Sequence, residues 1–328
     1  MNLFWKKIPK TSVLEQEMTD HHVLFHTFVK TEKSALLEEY KELSAINFKS
    51  VKKEYKNKAE YNNSTMREKE LRYQMLSKDS DIKNYLHYEK TNKLKFHENF
   101  TQSSFEEFSG KEIDNNKWKN SYKWSYDQIR GNYSYADEFQ AYTEGENTAV
   151  LDGQLQISTK HKNTEGRCWD EKKGFIMKPY SYTSDVISSN TFTSDKGCVL
   201  IKFKLSGSSK SLHHFIRAYD AKNQSCITLL ESKSKRSFVV GRNIRSEKNS
   251  DFSKITGINL EKNFLLLELE WNKEVISWRI NGHLIYQKSN KVDMANMHLA
   301  IGSYISKPKG NEGNIIIDYI RNFEERKA

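Results

Sequence analysis

From residue 96 to the end of the chain, apolar residues recur at every second position in short runs broken by turn residues. A period of two puts alternate side chains on opposite faces of a strand, so each run has one face to bury. Leu155 to Thr159, Val199 to Leu205, Leu212 to Tyr219 and Cys226 to Glu231 are such runs. So are Phe264 to Trp271, Val275 to Ile280, Leu284 to Gln287, His298 to Ser303 and Ile315 to Ile320. Asn281-Gly282 separates two of them, and both residues tolerate the positive φ that a two-residue hairpin turn demands. Many short strands at regular spacing predict an all-β sandwich or jelly roll over residues 97–328.

Residues 1–96 read differently. Leu36, Leu37, Tyr40 and Leu43 fall at helical spacing, and Phe48, Val51 and Tyr55 continue a narrow apolar stripe. Thr65 with Glu68 three residues on resembles a capping box ahead of Leu71, Met75 and Leu76. Ser80 or Asp81 caps a further short helix through Tyr85, Leu86 and Tyr88. Short helices with so much polar surface need a surface to pack on. They form either an extension of the sandwich or a docking segment for a protein assembly partner. His21, His22 and His26 have no acidic or cysteine partner at ligand spacing, which argues against a metal there.

The net charge of +10 is spread about evenly along the chain, without a basic arm. That describes a lysine-rich surface rather than a nucleic-acid binder. Cys168, Cys198 and Cys226 are odd in number and far apart, so neither a disulfide scaffold nor a C-x-x-C metal site is expected. The basic N-terminus lacks the apolar core of a signal peptide, and no run of about 18 apolar residues could span a membrane. A cytoplasmic location is the default expectation, with export by another route or within a particle as the alternatives.

Several segments carry a resemblance. Phe105-Glu-Glu-Phe-Ser-Gly-Lys-Glu-Ile-Asp-Asn-Asn-Lys-Trp118 resembles the opening of glycoside hydrolase family 16, the laminarinase and lichenase-like enzymes. Asp137 to Thr143, Asp152-Gly-Gln-Leu155, Tyr182-Thr-Ser184, Leu269-Glu-Trp271, Ile276 to Leu284 and Ile316 to Arg321 follow in the family's order. The resemblance implies a mainly β, concanavalin A-like jelly roll preceded by a short helical region. It also implies a polysaccharide or glycan ligand.

That family's catalytic strand reads E-x-D-x-x-E: nucleophile, assisting Asp, acid/base. The best register here gives Cys226, Thr228 and Glu231, so only the acid/base position keeps a carboxylate. Strict alternation would put Glu231 on the opposite face from Cys226 and Thr228 unless a one-residue bulge intervenes. Retaining glycosidases need two carboxyl groups about 5–5.5 Å apart. The expectation is therefore a carbohydrate-binding domain that no longer hydrolyses. The alternatives are an active hydrolase of β-glucan or galactan, or a structural subunit without sugar binding. A relocated nucleophile would have to be a carboxylate such as Asp185 or Asp220.

The strand before the catalytic one, Leu212-His-His-Phe-Ile-Arg-Ala-Tyr219, lacks the tryptophan on which that family stacks sugar. Trp124, Tyr133, Tyr135, Trp169 and Tyr304 are the candidate platform, with Arg130, Asn132 and Glu138 to bond hydroxyls. Each aromatic also has an ordinary reading as core packing. Trp118, Trp271 and Trp278 are assigned to the core or the far sheet outright. The resemblance also implies a structural calcium at Asp318, assisted by Glu107 or the Gly153 carbonyl; no other cofactor is expected.

Overall fold

The computed structural model describes residues 10–16, 19, 33–80, 82, 83, 86, 100–191, 195–220, 225–244 and 250–325. The chain divides into two compact units, one of residues 12–97 and one of residues 1–11 together with 98–328. The histidine group at 21–26 and most of the expected helix after residue 80 lie outside the described residues.

The larger unit is two antiparallel-dominated sheets with a shared apolar core. Among the described residues, one sheet has eleven strands, running in space from His283–Ser289 through Val275–Ile280, Leu265–Trp271, Gly197–Ser206, Gly313–Glu325, Gln154–Asp170 and Gly174–Ser184 to Gln140–Tyr142, with three further strands paired off this path. The other has seven: Asp251–Thr256, Ser237–Ile244, Ser225–Ser234, Leu212–Asp220, Met297–Ile305, Val186–Thr191 and Trp118–Lys119. Period-two alternation produces this layering. Ile216, Ala218, Ile227, Leu229 and Leu230 of the seven-stranded sheet meet Leu155, Ile201, Leu267 and Ile317 of the other in one buried cluster. Trp118, Trp271 and Trp278, assigned to the core or the far sheet from the sequence, are buried in the same cluster.

The Asn281-Gly282 turn forms as expected, with φ of 47° and 73°. Asp152-Gly153 makes a second turn of the same kind, at 52° and 73°. What the sequence did not foretell is the length of the next hairpin. The strand expected over Leu155–Thr159 runs on from Gln154 to Asp170 and returns from Gly174 to Ser184.

The smaller unit has helices Lys33–Ser44, Phe48–Lys52, Lys58–Asn62 and Thr65–Leu76. Its core is small: Leu37, Leu43, Leu76 and Ile82, flanked by Tyr40 and Tyr73. Glu70 is buried and ties the helices together: Lys52 reaches it at 2.7 Å, Tyr61 donates to it at 3.1 Å, and Arg67 pairs with it. The last helix starts one residue differently from the expected box. Ser64, not Thr65, is the cap, and it accepts from the Arg67 amide at 3.3 Å. A serine outside the helix has the extended backbone that a cap needs.

Candidate functional site

Strand Ser225–Ser234 does contain the bulge that the sequence required. Thr228 pairs with Arg217 and Gly241, and Glu231 pairs with Phe215 and Val239, with the register shifting between them. Leu229 and Leu230 both turn into the core, so parity flips. Cys226, Thr228 and Glu231 therefore share the outer face of the sheet, opposite Tyr219, Arg217 and Phe215. A bulge leaves a ladder group unpaired. Here Trp278, from the other sheet, donates its indole N–H to the Thr228 carbonyl at 3.0 Å.

Three side chains hold Glu231. Arg217 Nη2 donates to Oε2 at 2.6 Å, Tyr304 donates its hydroxyl to Oε1 at 2.8 Å, and Lys233 pairs with Oε1. Burial would raise this carboxyl, but Arg217 and Lys233 outweigh it and hold it down at about 2. General acid catalysis works best when the group titrates near the operating pH, and this one stays ionised. Cys226 is no substitute: burial pushes its thiol up despite Arg217, and the thiol form is a poor nucleophile.

Glu138 behaves in the opposite way. Its carboxylate accepts from the Tyr135 amide and from Gln140 Nε2, each at 3.1 Å. Gln140 in turn accepts from the Ile305 amide at 2.6 Å, which hangs this segment beside Tyr304. Burial pushes Glu138 up to about 7, against the lowering effects of the Tyr135 amide and Arg217. Asp185 and Asp220 are committed elsewhere. Asp185 is fully buried and accepts from the amides of Thr143, Gly145 and Asn147 at 2.9, 3.1 and 2.8 Å. Asp220, the last residue of its strand, accepts from the Ser225 amide at 2.6 Å.

Much of the outer face is covered by the chain itself. Tyr122 and Trp124, at the start of helix Lys123–Ile129, are buried with Val186, Phe215, Tyr219 and Ala300. Trp124 stacks on Tyr122 at 4.3 Å and meets Tyr219 edge-on at 4.4 Å. Trp124 thus serves as packing, with no open ring face. Gly302 sits opposite Phe215 because a Cβ there would lie 2.9 Å from the Phe215 ring and 2.8 Å from the Asp185 carbonyl.

The other candidates divide. Trp169 and Phe175 face each other across the long hairpin, 4.9 Å apart, and are 37% and 42% exposed. Phe175 meets Tyr133 at 5.1 Å, and Tyr133 meets Tyr135 at 5.6 Å. Trp124 donates to the Tyr133 hydroxyl at 3.1 Å, linking this aromatic row to the buried plug. Arg130 stands apart, its guanidinium over Tyr126 at 5.3 Å. Asn132 is buried and bonds the Asn120 carbonyl at 2.9 Å. Sequence reading missed Arg217, Lys233 and Tyr122. The one available signal was Arg217, the single arginine or lysine of its strand.

Asp318 lies on the other sheet, as the extra residue of a bulge between Ile317 and Tyr319. Lys202 Nζ sits 3.0 Å from it and Gln154 Nε2 donates to it at 2.7 Å. Glu107 is paired with Arg321 at 2.8 Å. Calcium needs six or more oxygen ligands, whereas two N–H donors, one a full cation, point at this carboxylate. The residues do not fit a calcium ion. Neither added calcium nor a chelator should move the thermal midpoint, by calorimetry, beyond scan-to-scan scatter.

No family model and no curated protein matches this chain. Solved structures do. The catalytic domain of an endo-1,3-β-glucanase (laminarinase) from Thermotoga petrophila aligns with a TM-score of 0.56 at 17% identity, over 70% of this chain and 99% of that one. The sandwich has the fold of glycoside hydrolase family 16. A non-specific endo-β-1,3(4)-glucanase of that family aligns at TM-score 0.57 and 18% identity, over 71% and 94% of the two chains. The κ-carrageenase of Pseudoalteromonas carrageenovora aligns at 0.52 and 16%, over 68% and 94%. The jelly roll expected from the motif order is therefore present, and the identities are too low to carry more than fold.

Proposed function

We propose that this family 16-like sandwich binds carbohydrate without hydrolysing it. The observation that supports this most is Glu231. It occupies the acid/base position, yet two cations and a tyrosine hydroxyl hold it as a carboxylate. Cys226 and Thr228 stand at the other two positions of the motif, and neither is acidic. The exposed Trp169–Phe175 pair, continued by Tyr133 and Tyr135, supplies ring faces of the kind that stack on sugars. That row supports a binding face along the hairpin, next to the Tyr122–Trp124 plug to which the Trp124–Tyr133 bond joins it.

A second reading has one observation in its favour. Glu138 titrates near neutrality and feels the same Arg217 as Glu231, so the two carboxyls are driven apart in the manner of an acid and an ionised partner. One experiment separates the readings: a polysaccharide pull-down beside a reducing-sugar release assay, on the full chain and on Trp169→Ala and Glu138→Gln. We expect binding without release, and at least about tenfold weaker binding in Trp169→Ala, from loss of a stacking contact of about 1.4 kcal/mol. Release abolished by Glu138→Gln would overturn the binding-only reading.

A further inference from the structure

We propose that Arg217 and Lys233 form a recognition site for the anionic substituent, carboxylate or sulfate, of an acidic polysaccharide. This rests on the carbohydrate-binding reading and adds the chemical class of the ligand. Two cations converge on one carboxylate, so the trio keeps one excess positive charge on the outer face of strands Leu212–Asp220 and Ser225–Ser234. The accessible members are the cations. The Arg217 and Lys233 side chains are 26% and 36% exposed, against 10% for Glu231 beneath them. An approaching ligand meets guanidinium and ammonium first.

The surroundings favour an anion. Cys226 and Thr228 put neutral groups where two carboxylates would repel one. Arg217 bonds Glu231 through Nη2 alone, and a guanidinium carries five N–H donors in one plane, suited to a second forked acceptor. Phe215 lies 4.5 Å from the guanidinium and Tyr304 5.8 Å, so its orientation is fixed by ring contact. Partial burial among aromatics lowers the local dielectric and strengthens charge pairing over that of a surface lysine. The Glu138 carboxyl also feels Arg217, and burial disfavours its ionisation.

The test is titration calorimetry of the full chain with polygalacturonate (carboxylate), heparin (sulfate) and laminarin (neutral), at low and at moderate salt. Lys233→Gln and Arg217→Lys are the variants, with circular dichroism confirming that each folds. Lys233→Gln removes an exposed side chain, and Arg217→Lys keeps the charge but loses the fork. We expect binding to polygalacturonate, heparin or both, weakened by salt and about tenfold weaker in each variant, with binding to laminarin weaker than to either and unchanged by them. The polymer preferred identifies carboxylate or sulfate as the substituent. Binding to laminarin alone would overturn this proposal and leave the carbohydrate-binding reading standing. Acidic polymers binding equally to wild type and both variants would mean that the general +10 charge attracts them, which also overturns it. Binding to none of the three would remove both.

Discussion

Replacing Trp278 with alanine is expected to cost about 3–5 kcal/mol, the usual range for a buried aromatic truncated to a methyl. Trp278 is fully buried in the main core, packs against Tyr286 with ring centroids 5.2 Å apart, and supplies the donor for the Thr228 carbonyl. The substitution therefore opens a cavity and leaves a buried carbonyl without its partner, two separate costs. For a domain of this size, the thermal midpoint should fall by roughly 6–20 °C. Domain stabilities are commonly about 5–15 kcal/mol, so Trp278→Phe is the companion variant. It retains most of the packing and removes the donor. It should unfold at lower denaturant, with a smaller loss than alanine. A Trp278→Phe protein as stable as wild type would show that the indole bond contributes nothing to holding the bulge.

Glu231→Gln is the second large effect, and it carries a pH signature. The folded carboxyl is held at about 2, below the ordinary value of about 4.3. A depressed carboxyl stabilises the fold above its unfolded pKa, and that contribution is lost as pH falls from about 4.3 towards 2. A gap of roughly two pH units corresponds to about 3 kcal/mol, and partial exposure of Arg217 reduces it to about 2–3 kcal/mol. At pH 7 the glutamine variant should be less stable than wild type by about that amount, because Arg217 and Lys233 lose their shared counter-charge. Near pH 2 the two proteins should converge. Denaturant titrations at several pH values measure both limbs. Parallel stability curves across this range would refute the paired, ionised Glu231.

These two residues also mark how far the chain could be read directly. Alternation located most strands, because a two-residue period is a local property of each segment. The turn at Asn281-Gly282 was legible for the same reason: positive φ is affordable only to a few residue types. The order of the family-like segments predicted the jelly roll, and the solved structures it aligns with have that fold. The register of Cys226, Thr228 and Glu231 could be aligned, and their need for a bulge followed from parity alone.

The local signals gave less elsewhere. The hairpin from Gln154 to Ser184 is longer than its alternating core, because past Thr159 its strands pair with each other under weak apolar patterning. The helix at Lys123–Ile129 has no side-chain cap bond to announce it. Trp124 had the composition of a sugar platform, yet it is buried under the same rules that bury any large aromatic beside an apolar sheet.

The amino-acid sequence sets which residues alternate, where the chain turns, and that the run from Cys226 to Glu231 carries one carboxylate. Only the tertiary structure decided what became of that one. Besides the nearby Lys233, its partners are 14 residues upstream and 73 downstream, at Arg217 and Tyr304. Likewise, Asp318 meets Lys202 rather than a cluster of oxygens. Charge pairing and burial depend on which strands become neighbours. Strand neighbours are set by the packing of whole sheets, which no local window of sequence contains.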